Sequence, residues 1–440
     1  MKFIHFGCWN RGGCQLNAES AGQVSDFTRV VTNMRDNLEG IDFISVAGDN
    51  YYPDKEKNKD KGEKKEKEKE KDKDKEKDKE KDKEKSEKKE KGDKKKILVN
   101  EDLETGFKCL LDLNVDKYII LGNHELDDKI THMKTSKSSN NTSTVAADNK
   151  CIIIKKQKEQ VNGYEKVYFY GDNILSKYDP SSKTLLIMFD TTIYEIANET
   201  KIQDTCYTEL DIAKKLDKEL DKGLVKRLAT IGDLQVKQEE LITECIINHS
   251  SQDKGVDKII LVGHHPIIGI KSKKGTKQTE ICRGLALYLS KIIDHFLNKQ
   301  LYYLCADVHL YQSGHIILGG YDDSTKHLVI NQYIVGTGGA EKDTVYDDKI
   351  TKELIKDKLI EDNGDNGDGK NIPIEYIIDE NLSTNGYLIC ETRSGGLTCS
   401  FVNVGPGDEK GLQNGGKRLS RKKKQTHKHI AKKKLTKKKL

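Results

Sequence analysis

The stretch FISVAGDNYY, residues 43–52, is an apolar, β-branched run that stops at glycine and opens into a carboxylate, an amide and two phenols. A continuous apolar run this short suits a strand buried on both faces of a parallel sheet. The same grammar returns three times. YIILG (118–122) precedes Asn123, His124 and Glu125; IILVG (259–263) precedes His264, His265 and Pro266; YYLCA (302–306) precedes Asp307, Val308 and His309. In open α/β sheets, ligands gather beyond the carboxyl ends of the strands, so these four ends are expected to meet at one site although they lie far apart in the chain. Gly48, Gly122 and Gly263, each directly ahead of a polar cluster, permit tight turns and close backbone approach.

Outward from these ends, FIHFG (3–7) and LLIMFD (185–190) read as further strands of the same kind. Residues 25–38, 101–113, 209–248 and 282–298 carry helical spacing, with the third stretch split into two helices at Gly232 and Asp233. HIILGG (315–320), HLVINQYIVGT (327–337), GYLICET (386–392) and TCSFVNV (398–404) read as antiparallel strands, and residues 134–149 and 361–371 as surface loops. Gly336, Thr337, Gly338 and Gly339 look superficially like a phosphate cradle, but no helix bearing Lys-Ser/Thr follows, so a tight turn is expected there.

Carboxylate, amide oxygen, imidazole and phenol together form a donor set for hard-to-borderline cations rather than for a structural zinc knot. A carboxylate such as Asp49 is able to bridge two ions, which a lone imidazole cannot do. Two ions about 3.5–4 Å apart clamp a phosphate and acidify a water between them.

In this light GDNYY (48–52), GNHE (122–125) and GHHP (263–266) resemble three signature blocks of the calcineurin-like metallophosphoesterase superfamily. Tyr52, three residues after Asp49, Trp9 in the first block, and Gln312 after His309 are similar in style to purple acid phosphatases. The likeness spans about residues 1–340. It implies a four-layer αββα sandwich of two mixed β-sheets flanked by helices, and hydrolysis of phosphoesters by a two-metal-activated hydroxide. Carried over residue by residue, it makes Asp49 the bridging ligand, Tyr52 and His309 ligands of the first metal, and Asn123 and His264 ligands of the second. His124 faces the substrate as proton donor to the leaving oxygen, and His265 contacts the phosphate.

Two positions depart from the family pattern. Cys8 stands where the first block carries Asp, and Asp307 where the last carries His. Each replacement is itself a potential ligand, so the metal set is written as Cys8, Asp49, Tyr52, Asn123, His264, Asp307 and His309. Two readings stay open for Cys8: a thiolate ligand, which favours zinc or iron over magnesium or manganese, or a small buried residue at a strand end. The cofactor expected is a pair of metal ions, Fe, Zn or Mn. The same two departures motivate an alternative, a catalytically degenerate fold kept for binding.

Bulk properties bound the rest. Charged residues make up 34% of the 440, but the excess sits in two segments, which leaves enough apolar sequence for a large core. Residues 54–96 alternate Lys with Glu or Asp and have no apolar surface to bury, so they are expected to be a solvated, disordered insertion. Residues 406–440 form a basic disordered tail, densest from 417 onward. The tail is either a solubilising end or a non-specific polyanion contact, which keeps a nuclease of the same superfamily open as a further alternative. The catalytic domain is expected over 1–53 and 97–405. Ten cysteines occur without a CxxC pair, no leader-like start is present, and no run reaches the ~18 apolar residues of a membrane helix. These features predict free thiols and an intracellular protein without membrane contact, in a host cytoplasm or virion if viral, since lysine-rich insertions of this kind resemble those of giant DNA viruses. The partner expected is a phosphoester substrate, of monoester, nucleotide or phosphoprotein class.

Overall fold

A computed structural model describes residues 1–10, 14, 25–50, 52, 107–125, 152–161, 164–169, 174–196, 231–251, 255–273, 276–340, 342–345, 354–362 and 370–405. Residues Met1–Val404 belong to one compact unit. The charged insertion 54–96, the loop at 134–149 and the basic tail fall outside the described residues.

The first sheet is six-stranded. β1 (Lys2–Phe6), β2 (Phe43–Ala47), β3 (Asp116–Ile120) and β4 (Val167–Phe169) run parallel. The second sheet begins in the chain with β5 (Ile174–Asp179) and β6 (Thr184–Phe189), then β7 (Lys258–Val262). Between these sheets' strands and the later ones stands a two-stranded hairpin, β8 (Ile268–Lys273) with β9 (Thr276–Ile281). β10 (Gln300–Cys305), β11 (Tyr311–Gly319), β12 (His327–Val335), β13 (Leu354–Asp362) and β14 (Lys370–Leu382) complete the second sheet. Its eight strands lie in the order β13-β14-β11-β12-β10-β7-β6-β5, and its centre, β12, β10, β7 and β6, is parallel. β15 (Gly386–Arg393) and β16 (Gly396–Asn403) return to the first sheet, antiparallel beside β1.

Every residue of β2, β6 and β7 is buried, as expected of strands covered on both faces. The sheets meet through one continuous core and through polar threads. His5 lies between Ser45 of its own sheet (3.1 Å) and the Cys305 carbonyl of the other (3.4 Å). Burial without a partner charge pushes His5 down to about 4, so it stays neutral.

Helices cover the outer faces. α1 (Asp26–Asp36) starts because the Ser25 hydroxyl accepts the Thr28 N–H at 3.1 Å, capping the first turn. Its apolar stripe, Phe27, Val30, Val31 and Met34, follows the i, i+3, i+4, i+7 rule and is fully buried, each side chain contributing on the order of 1.5–3 kcal/mol. After α2 (Ile152–Val161) and the short α3 (Thr192–Ile196), α4 (Ile231–Ser251) packs Gln238, Ile242 and Ile246 inward against the second sheet. The helix begins at Ile231, so Gly232 and Asp233 lie in its first turn; the first of the two helices expected over 209–248 lies outside the described residues. α5 (Arg283–Lys291) completes that face.

Two further differences stand out. β13 and β14 were not anticipated, because their sequences, LIKDKLIED and KNIPIEYIIDENL, are dense in charge and carry a proline. The expectation of free thiols is corrected as well: Cys14 pairs with Cys109 and Cys390 with Cys399, their Cα atoms 6.2 and 4.2 Å apart. Sequence spacing hid both pairs, since Cys14 and Cys109 meet only when the loop after β1 reaches the helical turns before β3, and Cys390 faces Cys399 only through the β15–β16 register. Cys8, Cys245, Cys282 and Cys305 are free thiols. Among the described residues, no helix is long and apolar enough to cross a membrane.

Candidate metal centre

The parallel strands β1, β2, β3, β7 and β10 deliver their carboxyl-end loops to one place. Sheet packing brings them together: the Gly7 N–H reaches Val335 O at 3.0 Å, and the His264 ring, on the second sheet, donates from Nδ1 to Ala47 O on the first at 2.6 Å. Room for this depends on missing Cβ atoms. At Gly122 a Cβ would lie 2.3 Å from Asp49 N and 2.4 Å from its Oδ1, and Gly48 has φ +77, which L side chains rarely adopt.

Asp49 is the hub. Its Oδ2 accepts Tyr52 OH at 2.7 Å and lies 3.8 Å from Cys8 Sγ, while its Oδ1 accepts the His124 N–H at 3.1 Å and lies 3.3 Å from His264 Nε2. Tyr52 OH also sits 2.9 Å from His309 Nε2, and His264 Nε2 is 3.6 Å from Asp307 Oδ1. Donors that share one ion at about 2.0–2.3 Å lie about 3–4 Å from each other, and these separations match that spacing. Two sets of donor atoms lie mutually within 4.8 Å: Cys8, Asp49 and His309, and His264, His265 and Asp307. Asp49, leaning on both, joins them.

Cys8, Asp49 and Asp307 all take left-handed backbone conformations, with φ 51, 52 and 56. Outside glycine, that region is costly and is held only where surrounding structure insists on it. Here each residue turns the chain sharply off a strand end, aiming its donor back into the crevice.

Electrostatics tell the same story. Burial disfavours a charged His264, but the carboxylates of Asp49 and Asp307 outweigh it and lift the imidazole to about 10. With Nδ1 committed to Ala47 O, Nε2 is buried, faces two carboxylates and makes no hydrogen bond. A buried ring nitrogen that faces two carboxylates, its ring oriented by a backbone carbonyl on the other nitrogen, suits a metal ligand. Burial also works against ionised Asp49, yet the His264 and His124 imidazoles hold its carboxyl below the usual range. For Asp307 burial is likewise outweighed, by the His264 contact and the His265 and His264 rings, and its carboxyl also falls below that range. The Cys8 thiol and Tyr52 phenol move the other way: burial, then the charge of Asp49, pushes both well up. Burial and the neighbouring His264 push His265 down to about 4, which makes it a neutral hydrogen-bonding group.

Of the residues named from sequence, Cys8, Asp49, Tyr52, His124, His264, His265, Asp307 and His309 are brought together. Cys8 is packed against Ala47, Ala306 and Ala340, with Tyr52 beside them. Asn123 is different. It opens the 3-10 turn Asn123–Glu125 with its side chain exposed, and no hydrogen bond or ion pair links that side chain to the other described site residues.

Three supporting residues were not foreseen. Glu125 is buried and clamps two loops at once: one oxygen accepts the Asn50 N–H and the other the Gly122 N–H, both at 2.7 Å. Burial and Asp49 push its carboxyl up to about 8 against those two donors. Thr191, just past β6, accepts the His264 and His265 N–H groups at 2.9 Å each and lies 3.1 Å from His265 Nδ1. Asp343 grips His309 from both sides, accepting its N–H at 3.0 Å and donating its own to His309 O at 2.9 Å. Glu125 sits inside the GNHE block and Thr191 at the end of a strand already identified, so both left a trace in the sequence; Asp343 left none.

The profile of the calcineurin-like phosphoesterase family matches residues 1–316, and the chain belongs to that family of metal-using hydrolases. No curated protein matches it in sequence. Among solved structures, it is similar to a purple acid phosphatase isolated from yellow lupin (Lupinus luteus) seeds. The two share 12% identity with a TM-score of 0.43, over 92% of this chain and 51% of that one, so this chain spans about half of that protein's length.

Proposed function

We infer that the chain hydrolyses phosphoesters at a binuclear metal centre. Asp49 would serve both ions; Cys8, Tyr52 and His309 would hold the first, and His264, Asp307 and Asn123 the second. When bound, two such ions clamp phosphoryl oxygens and acidify the attacking water. Zinc, iron and manganese suit the mixture of thiol, phenol, imidazole and carboxylate. His124, a third exposed, lies 4.7 Å from the Tyr52 ring, tilted 54° to it, and is held by its backbone N–H on Asp49, a position from which it protonates the leaving oxygen. His265, neutral and fixed by Thr191, donates a hydrogen bond to the phosphoryl group. The catalytic domain is assigned to 1–53 and 97–405, with 54–96 and 406–440 appended to it.

The observation that carries this reading is the buried Nε2 of His264, oriented by Ala47 O and facing the carboxylates of Asp49 and Asp307. Metal analysis with p-nitrophenyl phosphate turnover across Mn, Zn, Fe and Mg tests it. Two bound ions and turnover abolished by Asp49→Ala are expected; a protein that takes up no metal under any of these conditions ends the hydrolase reading. A second reading, a fold kept for binding without turnover, draws on Cys8, whose protonated thiol is packed against three alanines. Cobalt substitution separates the two: a thiolate-to-cobalt charge-transfer band lost in Cys8→Ala marks a ligand, and its absence a packing residue.

A further inference from the structure

Two carboxylates, Asp49 and Asp307, face into the centre on either side of His264. A phosphomonoester, a dianion above a second pKa of about 6, carries one negative charge more than a diester and gains more from a further cation beside the site. Such a cation on the substrate side would favour the monoester.

The geometry points to Lys271 as that cation, a specificity-determining residue that makes this acidic centre accept phosphomonoester dianions. The inference rests on the hydrolase reading for its substrate. Lys271 lies on β8, in the hairpin that follows the His264-His265 loop. Its ammonium is 2.7 Å from Glu280 Oε1 on β9 and 3.9 Å from Asp343 Oδ2, the carboxylate that accepts the His309 N–H. The hairpin is tied to the Asp343 segment by the Ser272–Thr344 bridge, with the Ser272 N–H on Thr344 O at 2.9 Å. Lys271 therefore stands beside the His309 end of the centre, and its charge acts on Asp307.

Its commitments leave capacity to spare. An ammonium has three donors. Glu280 engages one, Asp343 lies beyond hydrogen-bond distance, and the lysine side chain keeps 21% of its surface exposed. Glu280 itself holds on by one oxygen only, since its buried Oε2 has no hydrogen-bond partner. The pair stores the cation in place without using it up. A phosphoryl oxygen arriving at the ions then competes with one carboxylate oxygen, a charge-for-charge exchange that costs little.

Isothermal titration of inorganic phosphate into the metal-loaded full-length protein tests the inference without requiring turnover. Lys271→Met should weaken phosphate binding about 10–100-fold, the worth of one charge-assisted hydrogen bond, while Lys271→Arg stays within a few-fold of wild type. Glu280→Gln, which releases the lysine, should tighten binding, and it decides the matter by itself if Lys271→Met fails to fold. Kinetically, Lys271→Met should raise KM for p-nitrophenyl phosphate far more than for bis(p-nitrophenyl) phosphate, a monoanion, with kcat less affected. Unchanged phosphate affinity in Lys271→Met, equal losses on monoester and diester, or weaker binding in Glu280→Gln each overturns it. A wild type that binds metal and phosphate yet turns over no ester removes the hydrolase reading and leaves the lysine's role standing. Turnover that is indifferent to Lys271→Met removes this inference alone.

Discussion

The two edges of the sandwich are built on opposite principles. At the edge where the parallel strands begin, charges cancel. The Met1 ammonium donates to Asp179 Oδ2 at 2.9 Å and to Thr392 at 2.8 Å, and Asp179 also accepts from the Ser181 and Ser182 hydroxyls at 2.6 Å. Lys258 reaches Ser182 O at 2.8 Å. At the edge where those strands end, like groups are crowded instead: carboxylates of Asp49 and Asp307 flank one imidazole, a thiol and a phenol are held protonated, and three residues sit in left-handed conformations. Left to folding alone, such crowding is a cost. The contrast supports the proposed function, in which the second edge is organised for cations and the first supplies stability to carry it.

Four experiments press on that contrast. Asp49→Ala should cut kcat/KM on the order of 10³-fold or more, since the proposed function has Asp49 serve both ions, while guanidinium unfolding of the metal-free protein changes far less. A comparably large loss of folding stability would blur the division between the edges. Next, adding zinc or manganese should raise the melting temperature, with about 2.7 kcal/mol gained at a hundredfold excess over Kd, and Asp49→Ala should abolish the rise. Glu125→Ala tests the joint between the loops: it orphans two buried N–H groups at about 1–3 kcal/mol each, seen as lowered denaturation midpoint together with weaker metal uptake. Loss of stability with unchanged uptake would make the residue structural only.

The smallest effect belongs to the opposite edge. Asp179→Asn should lower stability by about 1–3 kcal/mol and leave kcat/KM as in wild type. Burial opposes ionisation of Asp179, but its serine and amino-terminal partners outweigh that and hold the carboxyl below its ordinary range. A depressed carboxyl contributes fully above the unfolded value of about 3.9 and loses that contribution as pH falls toward the folded value. The difference between wild type and Asp179→Asn, followed by denaturation from neutral to acid pH, should therefore shrink as the solution becomes more acidic; a constant difference would show that the carboxylate's charge does not matter.

Much of the centre was legible because strand ends are written locally. An apolar run closing on glycine or alanine names both the strand and the candidate donor after it, as with Asp49 and His264 after glycine and His309 after Ala306. Asn123 opens the turn after its block and is exposed, while Glu125 of the same block is buried, a difference the local pattern does not carry. β13 and β14 were hidden by charge, since their partners, not their own hydrophobicity, make them strands.

Sequence alone determined the α/β architecture, the donor types and the family to which they belong, because buried strands and tight turns are encoded by neighbouring residues. Only the tertiary structure decided that Glu125 clamps two loops, that Asp343 and Lys271 stand behind His309, that Cys14 finds Cys109, and which carboxylates flank His264. Those contacts join segments tens to hundreds of residues apart, and their geometry follows from sheet register and from how two sheets pack, neither of which any local pattern contains.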